Sequence, residues 1–183
     1  MIHLSLKLFP WAYWHRSGAS AVKRHTLLTL HGPLPTWATM TEASLPELKL
    51  LDALPLQPGA FYVMNRGYLD FARLWRWPQA GAFFVIRNKR HVRWRTVAIH
   101  PVDKAQGLRS DPTVRLQSAW SQKSYPQPLR RIRFRDVPQQ RTFVFLTNHF
   151  DLSAEVICEL YRRRWQVELF FKWIKQPLRL RHF

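Results

Sequence analysis

The chain has 183 residues, 46% of them apolar and 14% aromatic, enough to bury a real core in one domain or a domain with a subdomain, which excludes wholesale disorder. Its 29 Lys and Arg against 11 Asp and Glu give a formal charge of +18, and Arg interleaved with Trp, Tyr and Phe favours a nucleic acid as the polyanion partner. A single cysteine, Cys158, excludes an internal disulfide framework and a multi-cysteine zinc site, and fits a small core residue.

Taken in order, residues 2–8 alternate apolar with His3, Ser5 and Lys7, which predicts a strand with one wetter face. No secretory signal is evident there, and nothing in the chain has the length of a membrane span, so the expectation is a cytoplasmic protein without a membrane partner. Strands are also expected at 21–30 and 36–40, then a helix over 45–54 that Pro46 opens. Residues 60–64 form an apolar run of strand length, with Asn65, Arg66, Gly67 and Tyr68 at its carboxyl end and a short helix through Trp75 beyond. In open α/β sheets such carboxyl ends are where sites assemble. Asn65 also suits plain turn chemistry ahead of a glycine.

Residues 82–86 predict another buried strand. From there the charge changes: residues 1–86 hold 8 Lys and Arg against 4 acids, whereas 87–183 hold 21 against 7. Turn signals at Pro101, Gly107, Pro112, Pro126 and Pro138 divide this part into short strands. Residues 92–97 place Arg93 and Arg95 on one face. Residues 129–136 place Arg131, Arg133 and Arg135 opposite Ile132 and Phe134. A solvated outer face explains either strand alone; two faces of one sign also suit phosphate contacts, which position DNA without reading its sequence. An apolar strand over 141–147 leads to the last element.

That element is a helix expected over 154–176, with Ser153 as N-cap and Pro177 as its stop. On a helical wheel Tyr161, Arg164, Glu168, Lys172 and Lys175 share one narrow stripe, while apolar residues cover most of the rest. Glu168 lies four residues from Arg164 and from Lys172, so an ordinary surface ion-pair ladder accounts for this spacing. The full pattern Tyr161, Arg164, Glu168, Lys175 resembles the YREK signature of bacterial insertion-sequence transposases of the IS-4 type. Ordered blocks along the chain support the likeness: LFPWA, AVKRHTLL, PGAFYVMNRGYLDFARL, QAGAFFVIRNK, LRRIRF, FLTN, RWQVELFFKWIKQ and LRLRHF.

The resemblance implies an α/β fold: a ribonuclease-H-like mixed sheet with flanking helices and a strand-rich insertion, incomplete at both ends. It divides the chain into 1–86 (first part of the core), 87–150 (basic insertion rejoining the core) and 151–183 (the core helix with the signature). It implies DDE-type chemistry, in which three carboxylates hold two Mg²⁺ or Mn²⁺ ions for DNA strand cleavage and transfer. Glu168 stands at the third carboxylate position. Asn65 stands where the family has its second Asp, and offers the metals only a neutral oxygen; the strand bearing the first Asp is not in the sequence. The expected reading is therefore a truncated, catalytically defective copy. Tyr161, Arg164 and Lys175 match residues that contact the DNA backbone in the family, and Arg66, Arg131 and Arg133 extend the expected DNA surface. The implied partners are transposon ends, further copies of the chain and intact transposase. The alternative is a non-catalytic DNA-binding remnant that interferes with intact transposase; a basic RNA-binding protein is disfavoured because no RNA-module signature is present.

Overall fold

The structure, a computed structural model, describes residues 2–4, 20–29, 35–42, 44–138 and 140–164. The chain divides into two compact units, residues 1–50 with 163–183, and residues 51–162.

In the first unit the described strands form an antiparallel sheet in the order β1 (Ile2–Leu4), β2 (Ser20–Leu28), β3 (Pro35–Glu42). Ile2 pairs with Val22, and Lys23 with Thr41. His25 joins the two longer strands a second time, its Nε2 lying 2.9 Å from the Thr41 hydroxyl. The expected helix over 45–54 is a 3-10 turn, Glu47–Lys49, running into α1 (Leu50–Ala53), with Pro46 just ahead of it.

The second unit is built on a six-stranded sheet in the order β4-β5-β9-β8-β7-β6. β4 (Phe61–Met64) and β5 (Phe83–Arg87) are parallel, and the connection between them carries α2 (Phe71–Leu74) and α3 (Arg76–Gln79). The remaining pairs are antiparallel: β5 with β9 (Arg141–Thr147), β9 with β8 (Leu129–Asp136), β8 with β7 (Leu108–Leu116) and β7 with β6 (Trp94–His100). One parallel pair inside an otherwise antiparallel sheet, with helices attached, is the mixed α/β architecture expected.

Apolar alternation assigns the two faces. Val85, Ile132, Phe134 and Phe145 point one way and are covered by α5 (Ala154–Arg163), through Ala154, Ile157, Cys158 and Tyr161. That stripe falls at positions i, i+3, i+4 and i+7, the pattern of a helix buried on one side only. Over the turns described, α5 is an ordinary amphipathic helix rather than one sunk on most sides, and its continuation to residue 176 lies outside the described residues. Burial also pushes the Cys158 thiol up to about 12, the state of an inert core cysteine. On the opposite face Trp77, fully buried, meets Tyr62 and Phe84 edge-on, and Tyr125 meets Trp75 and Phe84 in the same way.

Three elements depart from the sequence pattern for identifiable reasons. The helix expected through Trp75 is two single-turn helices, because Pro78 is accepted only in the first turn of a helix that starts afresh at Arg76. β6 begins two residues later than expected and runs to His100, its length set by its partner: Trp94 pairs with Leu116 and His100 with Asp111. β7 contains Pro112 although it is flanked on both sides. Its ladder to β8 passes from the Ser110–Arg133 pair to the Thr113–Arg130 pair, leaving out the residue with no N–H to give. Gly107 shows the tightest constraint, at φ +85°: a Cβ there would sit 2.6 Å from the Arg135 carbonyl oxygen.

No helix among the described residues is long and apolar enough to cross a membrane.

Candidate functional site

The corner at the carboxyl ends of the parallel strands is set by the β4 register. Met64 pairs with Ile86, and Ile86 with Leu146, so the row beyond them runs from Asn65 toward Arg87 and its partner Phe145. The Tyr161 ring packs 4.5 Å from Phe145 and 6.4 Å from Phe143. The Arg87 guanidinium lies over Phe143 at 4.9 Å. Hence Tyr161, in the last turn of α5, lies toward the same end of the sheet as the end of β4.

Asn65 is exposed, and its side chain is already occupied. Oδ1 accepts from the Gly67 N–H at 2.7 Å, capping the 3-10 turn Arg66–Tyr68. It therefore performs the turn chemistry its position allows, and its remaining character is that of a neutral amide. Arg66 beside it is exposed. The carboxylates nearest in sequence do not replace the missing charge. Asp70 caps α2 by accepting from the Arg73 N–H at 3.0 Å, and also takes Arg73 Nη1 at 2.8 Å. Asp52 takes Arg73 Nε at 3.0 Å, and these partners raise the Arg73 pKa, with the Asp52 hydrogen bond the largest cause.

Among the described residues there is no group of three or more His, Cys, Asp and Glu side chains that could hold a metal ion. Among the described residues at the end of β4, Asn65 offers one engaged amide oxygen and Asp70 a carboxylate committed to Arg73, so neither is a free anionic oxygen of the kind a divalent cation demands. Glu168 and Lys175 lie outside the described residues.

Within residues 51–162, the expected DNA-contact residues Tyr161, Arg131 and Arg133 lie on different faces of the six-stranded sheet. Tyr161 is largely buried and forms part of the core under α5. Arg164 follows the last residue of α5, half-buried in a turn. Arg131 and Arg133 pair with Leu146 and Val144, which puts them on the sheet face opposite Ile132, Phe134 and α5. Arg133 is exposed. Arg131 is half-buried, its Nε has no hydrogen-bond partner among the described residues, and burial together with the Arg133 charge lowers its pKa. A desolvated guanidinium without an acid beside it is a poor structural cation and a ready phosphate ligand.

Sequence reasoning passed over Arg130, which does more for the architecture than its neighbours. Its Nε and Nη2 bind the buried Asp111 carboxylate at 2.8 and 2.5 Å, and its Nη1 donates to the carbonyls of Leu152 and, at 3.3 Å, Phe150. This pair ties β7 and β8 to the loop that starts α5. The signal was present: period-two alternation puts Arg130 on the apolar face with Ile132 and Phe134, where a cation needs a partner.

Comparison with known proteins completes the description. The family described as Transposase DDE domain matches residues 4–183. The chain is 32% identical over 181 residues to a protein of Sinorhizobium fredii named as a transposase, y4zB; the match covers 97% of this chain and 50% of that protein. It is 29% identical over 171 residues to a protein of Geobacillus stearothermophilus named as a transposase for insertion sequence element IS5377, covering 92% of this chain and 44% of that one. The chain thus spans about half the length of the curated relatives it matches.

Proposed function

The chain belongs to the Transposase DDE domain family, and from that premise we propose that it binds transposon-end DNA as an insertion-sequence transposase of the IS-4 type does, with metal-dependent strand cleavage impaired. The observation that carries the reading is Asn65. At the end of β4, where the family places its second carboxylate, this chain has an amide whose oxygen is held by Gly67. Of three carboxylates that would hold two divalent ions, replacing one by an amide removes a third of their anionic charge and leaves a weaker neutral oxygen in its place. Glu168 is assigned as the remaining metal ligand, with Mg²⁺ or Mn²⁺ as the ion. Tyr161, Arg164, Lys175, Arg66, Arg131 and Arg133 are assigned to the DNA.

DNA binding does not depend on the metal. It draws on cations whose charge is independent of Asn65; Arg131, whose Nε has no hydrogen-bond partner among the described residues, and the exposed Arg133 supply one such surface. A protein that binds ends without cutting them occupies sites an intact transposase needs, so interference with that enzyme in the cytoplasm is the biological consequence.

The test is nicking of supercoiled plasmid in Mg²⁺ or Mn²⁺, beside a Glu168→Ala variant and a parallel gel shift. The expected result is a salt-sensitive shift without metal-dependent nicking. Nicking that vanishes in Glu168→Ala would show a working metal site and refute the impairment. Folded protein that gives no shift would refute the DNA assignment itself.

A further inference from the structure

The two longest helices among the described residues are entered in different ways. α4 (Ala119–Ser124) is capped by Ser118, whose hydroxyl accepts from the Ser121 N–H at 3.1 Å and holds no proton that titrates near neutral pH. The turn into α5 is closed by a histidine. His149 Nδ1 accepts from the Leu152 N–H at 3.1 Å, and one residue further on Ser153 accepts from the Val156 N–H at 3.4 Å. A ring nitrogen that accepts a hydrogen bond carries no proton, so this contact requires the neutral imidazole with its hydrogen on Nε2.

The imidazole is fixed where that nitrogen meets the turn. It packs edge-on against Phe83 at 4.5 Å and tilted against Phe61 at 5.0 Å, and its backbone N–H donates to the Thr147 hydroxyl at 3.1 Å. Phe61 and Phe83 bring no charge to it from β4 and β5. The charges that act on the ring are Asp151 within the turn and Arg130 on β8, itself bound to Asp111 on β7; Glu155, in the first turn of α5, is the next acid along the chain. Burial pulls the imidazole below its ordinary value, Asp151 opposes this and Arg130 adds to it. The other side chains that tie down this segment are not sensitive to acid. Asn148 accepts from the Phe84 N–H and donates to the Ala82 carbonyl, both at 2.9 Å, and Arg130 donates to the carbonyls of Phe150 and Leu152. Neither an amide nor a guanidinium changes charge near neutral pH.

We propose that His149 is a pH-sensitive positioning residue for α5: its neutral ring closes the 149–152 turn, and uptake of a proton opens that turn and loosens the seat of the helix that carries Tyr161. A protonated Nδ1 is a donor facing the Leu152 donor, so the hydrogen bond is lost and the first turn of α5, with Ala154 and Ile157 in the core, loses its lead-in. The folded chain takes up this proton at lower pH than the unfolded chain, whose histidines titrate near about 6.5. Stability is therefore full above that value and falls as the pH drops through it, levelling off once the folded form is protonated as well. The device stands whether or not the chain binds DNA.

The experiment follows the full chain beside His149→Asn and His149→Phe, by thermal melting between about pH 8 and about pH 5 and by nitrogen-15 NMR of the imidazole and of the Leu152 amide. Asn presents an acceptor oxygen close to the place of Nδ1 and does not titrate; Phe keeps a ring beside Phe61 and Phe83 and has no acceptor. Wild type should lose roughly 2–4 °C more than either variant over that range, the effect of one hydrogen bond, so that the other histidines cancel in the comparison. At the upper pH His149→Phe should melt below His149→Asn. The ring should titrate below about 6.5 with its neutral form protonated at Nε2, and the Leu152 amide resonance should move with it. A wild-type loss no larger than that of His149→Asn overturns the proposal. So does a neutral ring protonated at Nδ1, a ring that titrates at or above about 6.5, or a Leu152 amide that ignores the titration. Should His149→Phe fail to fold, wild type against His149→Asn decides the matter with the two resonances.

Discussion

At the scale of single residues, Asn65 shows how one substitution can keep a fold and remove a chemistry. The hydrogen bond from the Gly67 N–H is one that Asn and Asp make equally well, because both present an oxygen at the same place on the side chain. Selection for the turn alone cannot distinguish them; only a bound cation can. Asn65→Ala should therefore lose the cap, costing about 1 kcal/mol and lowering the melting temperature by roughly 2–4 °C. Asn65→Asp should melt within about 1 °C of wild type, since the cap is retained. Thermal unfolding of the three proteins by circular dichroism checks this, and an Asp variant as unstable as the Ala variant would show that the amide nitrogen, not the oxygen, matters here. Arg66, one residue on, takes no part in that cap and remains exposed at the end of β4.

At the scale of elements, the strands were legible because their apolar residues come in strand-length patterns: Leu129–Asp136 falls where alternation places it, and Arg141–Thr147 where a short apolar run does. What the pattern could not give was the pairing. Nothing local to β5 says that it lies between β4 and β9, parallel to one and antiparallel to the other. Pro112 likewise argues against a central strand until the ladder is seen to leave it out. The entry to α5 depends on a similar non-local feature, the buried Arg130–Asp111 pair with its carbonyl contacts at Phe150 and Leu152. Arg130→Met should cost about 3–5 kcal/mol, because Asp111 is left charged and buried. Arg130→Met/Asp111→Leu should recover a large part of that loss, since no charge then remains uncompensated. Urea unfolding of the single and double variants measures the difference. A double variant no more stable than the single would assign the loss to the carbonyl contacts that seat α5 instead of to the stranded carboxylate.

At the scale of the whole molecule, the candidate site was partly legible: the block through Asn65 lies at a strand end, and α5 runs toward the same end of the sheet. The division of the cations between faces was not legible, since Arg131 and Arg133 differ from Tyr161 only once the sheet register is known. That division shapes how DNA binding should respond to salt. Of 29 cations in the chain, only those meeting phosphates displace counterions, so net charge alone does not set the slope. If about four phosphates are met on a duplex, the slope of log affinity against log salt is about −3.6, and affinity falls roughly a hundredfold between about 50 and 200 mM. Arg131→Gln/Arg133→Gln should bring the slope to about −1.8 and weaken duplexes of any sequence alike, because phosphate contacts carry no sequence information. The measurement is a gel shift or anisotropy series on two unrelated duplexes. A slope unchanged by that pair would move the duplex to the face of the sheet that carries α5. A change confined to one duplex would mean that the two arginines read bases.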